Sequence, residues 1–474
     1  MTVNFGPPRE TSVFDSRTMQ NIYEEVRELY KSNPQPWVIG YSGGKDSTAV
    51  LQIVWKALEG LSVEERQKPV FVIASDTKVE TPVIVNHLDS TLQRINDSAR
   101  ENEMPFQAEK VMPTVNDGFW VNLIGRGYPA PTSHFRWCTE RMKIDPANAF
   151  IEEKVAQHGE VIMVLGTRKS ESSTRAQLMN TYQVKNHLLR RHTTLRGAYV
   201  YAPVADFSTE DVWTYLLQVQ SPWGSNNRDL AALYRNASGG ECPLVIDTTT
   251  PSCGGSRFGC WTCTVTTKDS SMEALVDNGH DWMEPLLEFR DWLATTTKPE
   301  RKREFRDFRG RDGRVIYKKD GTLAARTYKL EVSKQMLEKV LTTQKEVRRD
   351  GPNPEEVLIA DEELHEIRRI WRTERQDWDD SVPQIFRKVN GYDLDWPTDD
   401  DGHFDTDDKE LLASICKEYD VPFELIARML EKECETSGMA RRSGIQKALA
   451  AVLAREWRNE EELLADPPPE KLFN

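Results

Sequence analysis

The residues best suited to chemistry in this 474-residue chain are a lysine, an aspartate and serines set around two glycines, in the run Tyr41-Ser42-Gly43-Gly44-Lys45-Asp46-Ser47. Adjacent glycines let the backbone approach an anion closely, and the lysine supplies a positive charge. Between a strand and a helix, such a turn directs backbone N–H groups and the helix dipole at one concavity. The run therefore predicts a phosphate-binding loop. It is not a Walker A loop, because Ile39 stands where the first glycine of that loop is needed.

The surrounding pattern predicts the elements that would position this loop. The apolar segment Trp37–Gly40 is typical of a buried strand, and Ser47–Leu58 has apolar residues at helical spacing. The runs Val70–Ala74 and Val161–Leu165 are apolar and end at polar or glycine residues, as central strands of a parallel sheet do. We predict an α/β fold with a parallel doubly wound sheet and a mostly helical C-terminal region. Ligands of such sheets bind beyond the carboxyl ends of the strands, so the motifs that follow these strands should share one pocket.

Polar residues follow two of these predicted strands. Asp76 and Thr77 come after the second, and Gly166, Thr167 and Arg168 come after the run that ends at residue 165. A carboxylate at a strand end can accept from a ribose or hold Mg²⁺, which fits Asp76 and Asp46 of the loop. A cation such as Arg168 can stabilise the charge of a departing pyrophosphate.

A further motif places positive charges around a cysteine. Arg136 and Lys143 flank Cys138 in the segment that begins His134-Phe135-Arg136-Trp137-Cys138-Thr139. Such a pair of cations can bind a second anion or stabilise a thiolate.

Four of the seven cysteines fall within twenty-two residues, at Cys242, Cys253, Cys260 and Cys263. In a protein of the cytosol such a cluster favours a metal site over disulfides. The spacing C-x10-C-x6-C-x2-C accommodates either a structural zinc or a [4Fe–4S] cluster, because both accept four thiolates. Zinc sites more often have two C-x2-C pairs, and this chain has one, but the spacing does not separate the two metal centres cleanly.

The composition indicates the cellular compartment of the protein and the classes of partner that it could bind. The chain has no apolar stretch long enough to span a membrane and no secretory signal, which predicts a cytoplasmic protein. The net charge of −14 conceals a local reversal, because residues 298–329 contain twelve basic and five acidic residues. Aromatic residues interleave with these charges at Phe305, Phe308, Tyr317 and Tyr328. This basic stretch is either a nucleic-acid contact or a solvated charged surface.

The patterns divide the chain into six segments. A helical lead-in (1–35) precedes the nucleotide domain (36–220) and the cysteine-rich segment (221–270). A helical and basic region that is a candidate DNA contact (271–392), an acidic linker (393–408) and a C-terminal helical module (409–474) follow.

Taken together, these motifs resemble the PP-loop ATP pyrophosphatase superfamily, and their order resembles its phosphoadenylyl-sulfate (PAPS) reductase branch. The run Ser208-Thr209-Glu210-Asp211-Val212-Trp213, which is a capped helix start, completes that order. Assimilatory reductases end in a Glu-Cys-Gly-Leu-His motif, and this chain ends otherwise. The four cysteines and the segment from Trp371 to Trp378 resemble instead the DndC and SspD sulfurtransferases of DNA phosphorothioation. The resemblance covers roughly residues 15–390 and leaves the last eighty without a counterpart.

The resemblance implies a cytoplasmic ATP pyrophosphatase with Mg²⁺ and a [4Fe–4S] cluster. It would activate a DNA phosphate by adenylation for sulfur insertion, with a cysteine desulfurase and other phosphorothioation proteins as partners. Its implied catalytic residues are Lys45, Asp46, Arg168 and Cys138. Its implied nucleotide-binding residues are Ser42, Gly43, Gly44, Lys45, Asp46, Ser47, Asp76, Thr77, Gly166, Thr167 and Arg168. Its implied cluster ligands are Cys242, Cys253, Cys260 and Cys263.

Several alternatives stay open. Cys138 is a sulfur relay, a replacement ligand or a packed residue. The chain as a whole is alternatively a tRNA-thiolating enzyme, a sulfonucleotide reductase, or a nucleotide-sensing scaffold of a DNA complex.

Overall fold

The computed structural model describes residues 12–171, 177, 188–237, 259–397, 404–436 and 444–465. Within these residues the chain forms two compact units, each built from separate stretches of sequence. The first unit draws on the ranges Met1–Thr114, Arg136–Trp261 and Lys268–His280. The second draws on Val115–Phe135, Thr262–Thr267 and Asp281–Asn474. The six-segment division of the sequence stays a prediction.

A six-stranded sheet forms the centre of the first unit, in the order β3-β2-β1-β4-β6-β5. The strands β1 to β4 and β6 are parallel, and the two-residue β5 runs antiparallel to β6. The predicted parallel sheet of an α/β fold is therefore confirmed. The strands are β1 (Trp37–Gly40), β2 (Val70–Ser75), β3 (Phe106–Val111), β4 (Val161–Val164), β5 (Arg190–Arg191) and β6 (Ala198–Tyr201).

Helices cover both faces of this sheet. Trp37 and Ile39 of β1 belong to the core beneath helices α1 to α3 and the helix Thr209–Gln218, whereas Val38 belongs to the core beneath α5. Burial on both faces explains why β1, β2 and β4 are nearly continuous apolar runs. The helices of this unit are α1 (Met19–Ser32), α2 (Lys45–Glu59), α3 (Pro82–Glu101), α4 (Trp137–Thr139), α5 (Asp145–His158), Thr209–Gln218, Asn227–Ala237 and Ser270–Asp277.

The predicted capped helix start after residue 207 is confirmed. Ser208 precedes the helix Thr209–Gln218, and its hydroxyl accepts from the Asp211 N–H at 3.0 Å. The Asp211 carboxylate accepts in return from the Ser208 N–H at 2.8 Å, which completes a capping box.

The second unit is mostly helical. Its buried Trp120 donates to the Leu358 carbonyl at 2.6 Å, and its buried Trp371 donates to the Ile124 carbonyl at 3.0 Å. Burial lowers the pKa of Arg375 to about 10, and its guanidinium donates to backbone carbonyls that include Tyr328 at 2.7 Å. The helices are Glu284–Thr295, Lys302–Phe305, Leu330–Asp350, Asp361–Glu374, Ser381–Asn390, Thr406–Glu418, Phe423–Thr436, Ile445–Leu453 and Glu460–Ala465.

Arg309 of the basic stretch binds the backbone near the C-terminus of this unit. Its guanidinium donates to the carbonyl oxygens of Glu456 (3.1 Å), Trp457 (3.1 Å) and Arg458 (2.6 Å). It also pairs with the Glu424 carboxylate at 3.3 Å. Arg309, one of the cations of the predicted DNA contact, is therefore bonded to groups within the unit.

Among the described residues, the helices are too short or too polar to cross a membrane.

Candidate functional site

The sheet places two of the predicted motifs side by side. β1 and β4 are parallel neighbours, and the chain continues from β1 toward one edge of the sheet and from β4 toward the other. A crevice opens at the carboxyl ends of the strands where the strand order reverses in this way. The loop of residues 41–47 follows β1, and Gly166–Arg168 follow β4. The structure thus brings the two motifs to one switch point.

The loop after β1 is fixed by its serines and glycines. Gly43 has φ +74°, which a glycine adopts without strain. The Ser47 hydroxyl donates to the Gly44 carbonyl at 3.0 Å and accepts from the Ser42 N–H at 3.2 Å. Helix α2 begins at Lys45, so the N–H groups of its first turn and the positive end of its dipole lie at this turn.

The charges at the switch point are buried and paired with one another. The Asp46 carboxylate accepts from the Lys45 ammonium at 2.8 Å and forms an ion pair with the Arg168 guanidinium at 2.5 Å. Arg168 also donates to the Thr209 hydroxyl at 3.2 Å. The structure therefore joins the three predicted catalytic residues of the nucleotide site in one ion cluster. Cys138, the fourth, lies in α4.

Gly166 allows the β4 loop to approach helix α2. A Cβ atom at this position would lie 2.9 Å from the Asp46 carbonyl carbon and 3.0 Å from the Ser47 nitrogen. Both are backbone atoms, which cannot move aside as a side chain can. Thr167 follows in the same loop and is partly exposed.

Asp76, at the end of β2, is held by cations and by its own loop. Its carboxylate pairs with Lys110 at 3.1 Å and accepts from the Lys78 N–H at 2.8 Å. The predicted contacts of Asp76 and Thr77 with ribose or adenine stay predictions.

Thr77 contacts a glutamate and a cysteine. It is fully buried, and its hydroxyl donates to the Glu80 carboxylate. The Cys260 sulfur lies 3.4 Å from that hydroxyl and 3.9 Å from Glu80 Oε1. Burial raises the pKa of the Glu80 carboxyl, against the lowering effect of Lys143, whose ammonium lies 3.8 Å away. The nucleotide motif after β2 thus supports the thiol of a predicted cluster ligand.

Backbone hydrogen bonds fix the peptide that carries Cys260. The Trp261 N–H donates to the Val79 carbonyl at 2.9 Å, and the Thr81 N–H donates to the Gly259 carbonyl at 3.2 Å. Glu80 and Cys260 form an antiparallel bridge between these bonds. The third predicted ligand is therefore attached to the loop after β2.

A buried arginine of the second unit holds the residues that follow. Arg290 is fully buried, and its guanidinium donates to the carbonyl oxygens of Cys263 (3.0 Å), Thr267 (3.1 Å) and Thr266. The Thr264 hydroxyl donates to the Pro131 carbonyl at 2.6 Å. The fourth predicted ligand therefore has a fixed backbone.

The other two predicted ligands, Cys242 and Cys253, lie outside the described residues. Among the described residues, no group of three or more His, Cys, Asp or Glu side chains is placed to hold a metal ion. A turn with thiols at Cys260 and Cys263 suits the closing pair of a four-thiolate site. The predicted cluster and its zinc alternative stay predictions.

Some residues of the site carry no signal in the sequence. Tyr234, on the helix Asn227–Ala237, accepts from the Lys45 N–H at 3.1 Å, and its ring centre lies 5.5 Å from the Lys45 ammonium. Arg290 and Lys110 likewise contact residues that are distant in the sequence, which are Cys263 and Asp76 respectively. Glu80 lies within the motif after β2, where its spacing of three residues from Thr77 is the available signal.

The aromatic residues of the basic stretch pack within the second unit. Tyr328 is buried, and its hydroxyl bonds Thr296 at 2.5 Å and the Ala130 N–H at 3.2 Å. Arg301 lies over the Phe305 ring at 5.1 Å, and Arg309 lies over the Phe308 ring at 4.7 Å. The Tyr328 ring is therefore enclosed within the unit and is not exposed for stacking on nucleic-acid bases.

The fold and the site define a class: an α/β domain with a phosphate-type loop and an ion cluster at the switch point of a parallel sheet. Residues 36–266 match the phosphoadenosine phosphosulfate reductase domain family, in agreement with the resemblance of the motifs. Residues 407–454 match a family described as a small protein found in certain Dnd DNA modification systems. This second match gives the C-terminal helices a counterpart that the sequence analysis lacked.

Two curated relatives are uncharacterized proteins of Methanocaldococcus jannaschii. MJ0066 is 27% identical over 198 residues, which are 42% of this chain and 35% of the relative. MJ0973 is 24% identical over 196 residues, which are 41% of this chain and 39% of the relative. The chain thus spans little more than a third of the length of these relatives.

Solved structures show distant likenesses. The FMN adenylyltransferase of Candida glabrata in complex with FAD and inorganic pyrophosphate is 13% identical, with a TM-score of 0.27 over 44% of this chain and 60% of that chain. The glutamine-dependent NAD⁺ synthetase of Acinetobacter baumannii in complex with ADP is 17% identical, with a TM-score of 0.28. The match covers 50% of this chain and 41% of that chain. The U34-tRNA thiolase NcsA of Methanococcus maripaludis with its [4Fe–4S] cluster is 11% identical, with a TM-score of 0.26. The match covers 60% of this chain and 83% of that chain.

Proposed function

We propose that this protein is an ATP pyrophosphatase and sulfurtransferase of DNA phosphorothioation. The observation that carries the proposal is the ion cluster of Lys45, Asp46 and Arg168 at the phosphate-type loop of a PAPS reductase-like domain. The segment similar to small proteins of Dnd DNA modification systems supports DNA as the acceptor. A cysteine desulfurase and other modification proteins are the partners that this function requires.

The proposed reaction converts a poor leaving group into a good one. A non-bridging oxygen of a DNA phosphodiester attacks the α phosphorus of ATP, and pyrophosphate leaves with the electron pair of the broken P–O bond. Sulfur then attacks the DNA phosphorus, and AMP departs with the original oxygen. A sulfide completes this exchange without a redox change. A persulfide leaves an S–S bond that a thiol must reduce.

The ion cluster suits the first step. Lys45 and Arg168 would stabilise the negative charge of the β and γ phosphates, as cations do in other phosphoryl-type transfers. Asp46 holds both cations at the loop. Asp46 and Asp76 are the carboxylates that would hold Mg²⁺, which when bound neutralises charge on the phosphates.

The cysteines suit the second step. Cys242, Cys253, Cys260 and Cys263 would hold a [4Fe–4S] cluster, which when bound supplies iron sites for sulfur or electrons. Thr77 and Glu80 orient the Cys260 thiol. Cys138 is proposed as the sulfur relay, and Cys138→Ser tests this role. Retained iron with lost sulfur transfer supports the relay, whereas lost iron makes Cys138 a ligand.

The test of the proposal is pyrophosphate release from ATP, measured with single-stranded DNA, duplex DNA and tRNA, with a cysteine desulfurase present. We expect release that depends on DNA, and a loss of about 100-fold or more in Lys45→Met. Lys56→Met is the matched control, because Lys56 lies on the same helix and its ion pair within the described residues is with the nearby Glu59 at 2.8 Å.

Other outcomes would point to other functions. Release that depends on tRNA would favour a thiolase, and sulfonucleotide reduction without ATP cleavage would favour a reductase. Tight ATP binding without pyrophosphate would favour a scaffold. On an anaerobically purified sample, about four iron and four sulfide per chain would support the cluster, and stoichiometric zinc would contradict it.

A further inference from the structure

Lys302 of the second unit lies within electrostatic reach of two further cations, Arg306 and Lys318. Lys302 belongs to the short helix Lys302–Phe305, Arg306 follows this helix, and Lys318 begins a hairpin turn. Burial lowers the pKa of Lys302, and the positive charges of Arg306 and Lys318 lower it further. Such a group of like charges is unfavourable unless an anion joins it.

No carboxylate forms an ion pair with these three cations among the described residues. Lys302, Arg306 and Lys318 form no ion pair within the parts of the chain that the structure describes. Asp320 acts on Lys318 electrostatically, but its carboxylate is already bonded to the N–H (2.9 Å) and hydroxyl (2.6 Å) of Thr322. Among the described residues, the three cations therefore face the single nearby carboxylate of Asp320 and keep a net positive charge.

Arg306 is the buried member of the group. Its exposed fraction is 7%, and its guanidinium carbon lies 5.2 Å from the centre of the Tyr328 ring. Its Nε and Nη2 atoms are buried and have no hydrogen-bond partner among the described residues. Buried donors almost always have partners, and leaving one unmade is unfavourable. The part of the chain that the structure describes therefore offers no acceptor to these two atoms of Arg306.

Backbone contacts hold the three cations in place. The Arg306 N–H donates to the Lys302 carbonyl at 2.9 Å, and Arg306 forms an antiparallel bridge with Tyr328. The Lys318 N–H donates to the Thr322 carbonyl at 2.8 Å, in a turn that Gly321 closes with φ +80°. The site is therefore built by ordered backbone rather than by flexible surface side chains.

We propose that Lys302, Arg306 and Lys318 form a binding site for a phosphate of a nucleic-acid backbone. Phosphate oxygens accept strong charge-assisted hydrogen bonds from guanidinium and ammonium groups, which fits the unbonded donors of Arg306. Lys318 and Lys319 are exposed, so positive charge continues from the site to the surface, where a long polyanion can lie. The choice of DNA over a free polyphosphate rests on the proposed function.

The test compares the full-length protein with the double variant Lys302→Gln/Lys318→Gln, which leaves the buried Arg306 intact. The control is Lys417→Gln, an exposed lysine of the helix Thr406–Glu418. Binding of fluorescein-labelled single-stranded and duplex DNA is measured by anisotropy between 50 and 300 mM salt. We expect the double variant to bind DNA about tenfold more weakly per lost contact near 0.1 M salt. The slope of the logarithm of the binding constant against the logarithm of the salt concentration should fall in magnitude by about 2.

Additional measurements separate the possible failures. Circular dichroism checks that the variants fold, and Arg306→Lys, which keeps the charge, should bind DNA more tightly than Arg306→Gln. Equal DNA affinity and equal salt slope in the wild type and the double variant would overturn the phosphate site, while DNA-dependent pyrophosphate release would still support the proposed function. A double variant that loses binding of inorganic pyrophosphate but not of DNA would show a free-polyphosphate site instead. Absence of DNA binding and of pyrophosphate release in the wild type would overturn both proposals.

Discussion

The substitution Gly166→Ala tests whether the two loops at the switch point must touch. The added methyl group would lie 2.9 Å from the Asp46 carbonyl carbon, 3.0 Å from the Ser47 nitrogen and 3.1 Å from the Asp46 oxygen. Carbon atoms in favourable contact are about 3.5–4.0 Å apart, so the methyl group requires helix α2 or the β4 loop to shift by roughly half an ångström or more. Overpacking of this kind costs about 1–3 kcal/mol.

The shift would fall on the residues that we propose bind phosphate. Because Asp46 bonds both Lys45 and Arg168, displacement of its backbone moves the whole ion cluster. We expect Gly166→Ala to lower the free energy of unfolding in urea by about 1–3 kcal/mol and to weaken ATP binding by about tenfold or more in calorimetry.

Gly159→Ala is the matched control. Gly159 ends helix α5 with φ +81°, and a Cβ there would contact nothing within 4 Å. Its expected effect is a backbone strain of about 1–2 kcal/mol without a change in ATP affinity. The reasoning would be refuted if Gly166→Ala bound ATP as the wild type does, or if both variants weakened ATP binding equally.

Three further substitutions test buried charges. Asp46→Asn leaves buried cations without their anion, so we expect a loss of about 3–5 kcal/mol in the free energy of unfolding; an unchanged urea midpoint would contradict the ion cluster. Arg290→Met removes the donors to three carbonyl oxygens, so we expect at least about 2 kcal/mol of destabilisation and a lower metal content, whereas a native metal content would show that the arginine is dispensable. Burial lowers the pKa of Lys68 to about 8, so between pH 8 and its unfolded value near 10.5 the unfolded chain binds more protons. Stability of the wild type relative to Lys68→Met should therefore rise with pH across this window in urea titrations, and a flat difference would contradict the assignment.

The central strands and the loop could be predicted because burial on both faces leaves a direct pattern in the sequence. The predicted strand Trp37–Gly40 is the observed β1, and the predictions for β2 and β4 differ from the structure by one residue at the end. β3 (Phe106–Val111) escaped prediction because it carries charged residues at its partly exposed positions and has no continuous apolar run.

Residues 354–390 of the predicted helical region contain two helices, Asp361–Glu374 and Ser381–Asn390. Between them Gln376 and Asp380 adopt φ of +55° and +49°. Neither is a glycine, so the break has no sequence signal of the usual kind.

Within the site, sequence reasoning found the residues that share motifs and missed those that reach the site through the fold. Lys45, Asp46 and Arg168 follow strand ends, and the sheet topology alone is enough to bring them together. Tyr234 contacts Lys45 across 189 residues of sequence, and Arg290 contacts Cys263 across 27. Such contacts depend on the packing of complete helices, which residue types and spacing do not specify.

The contact of Arg309 with the carbonyl oxygens of residues 456–458 has an evolutionary consequence. Every residue type has the same backbone carbonyl oxygen. The contact therefore depends on the conformation of the main chain and does not depend on which side chains occupy the three positions. Mutations there can accumulate without loosening the connection, provided that the turn keeps its shape. Sequence divergence in this turn is therefore compatible with the attachment of the preceding helices, which match a family of small Dnd proteins.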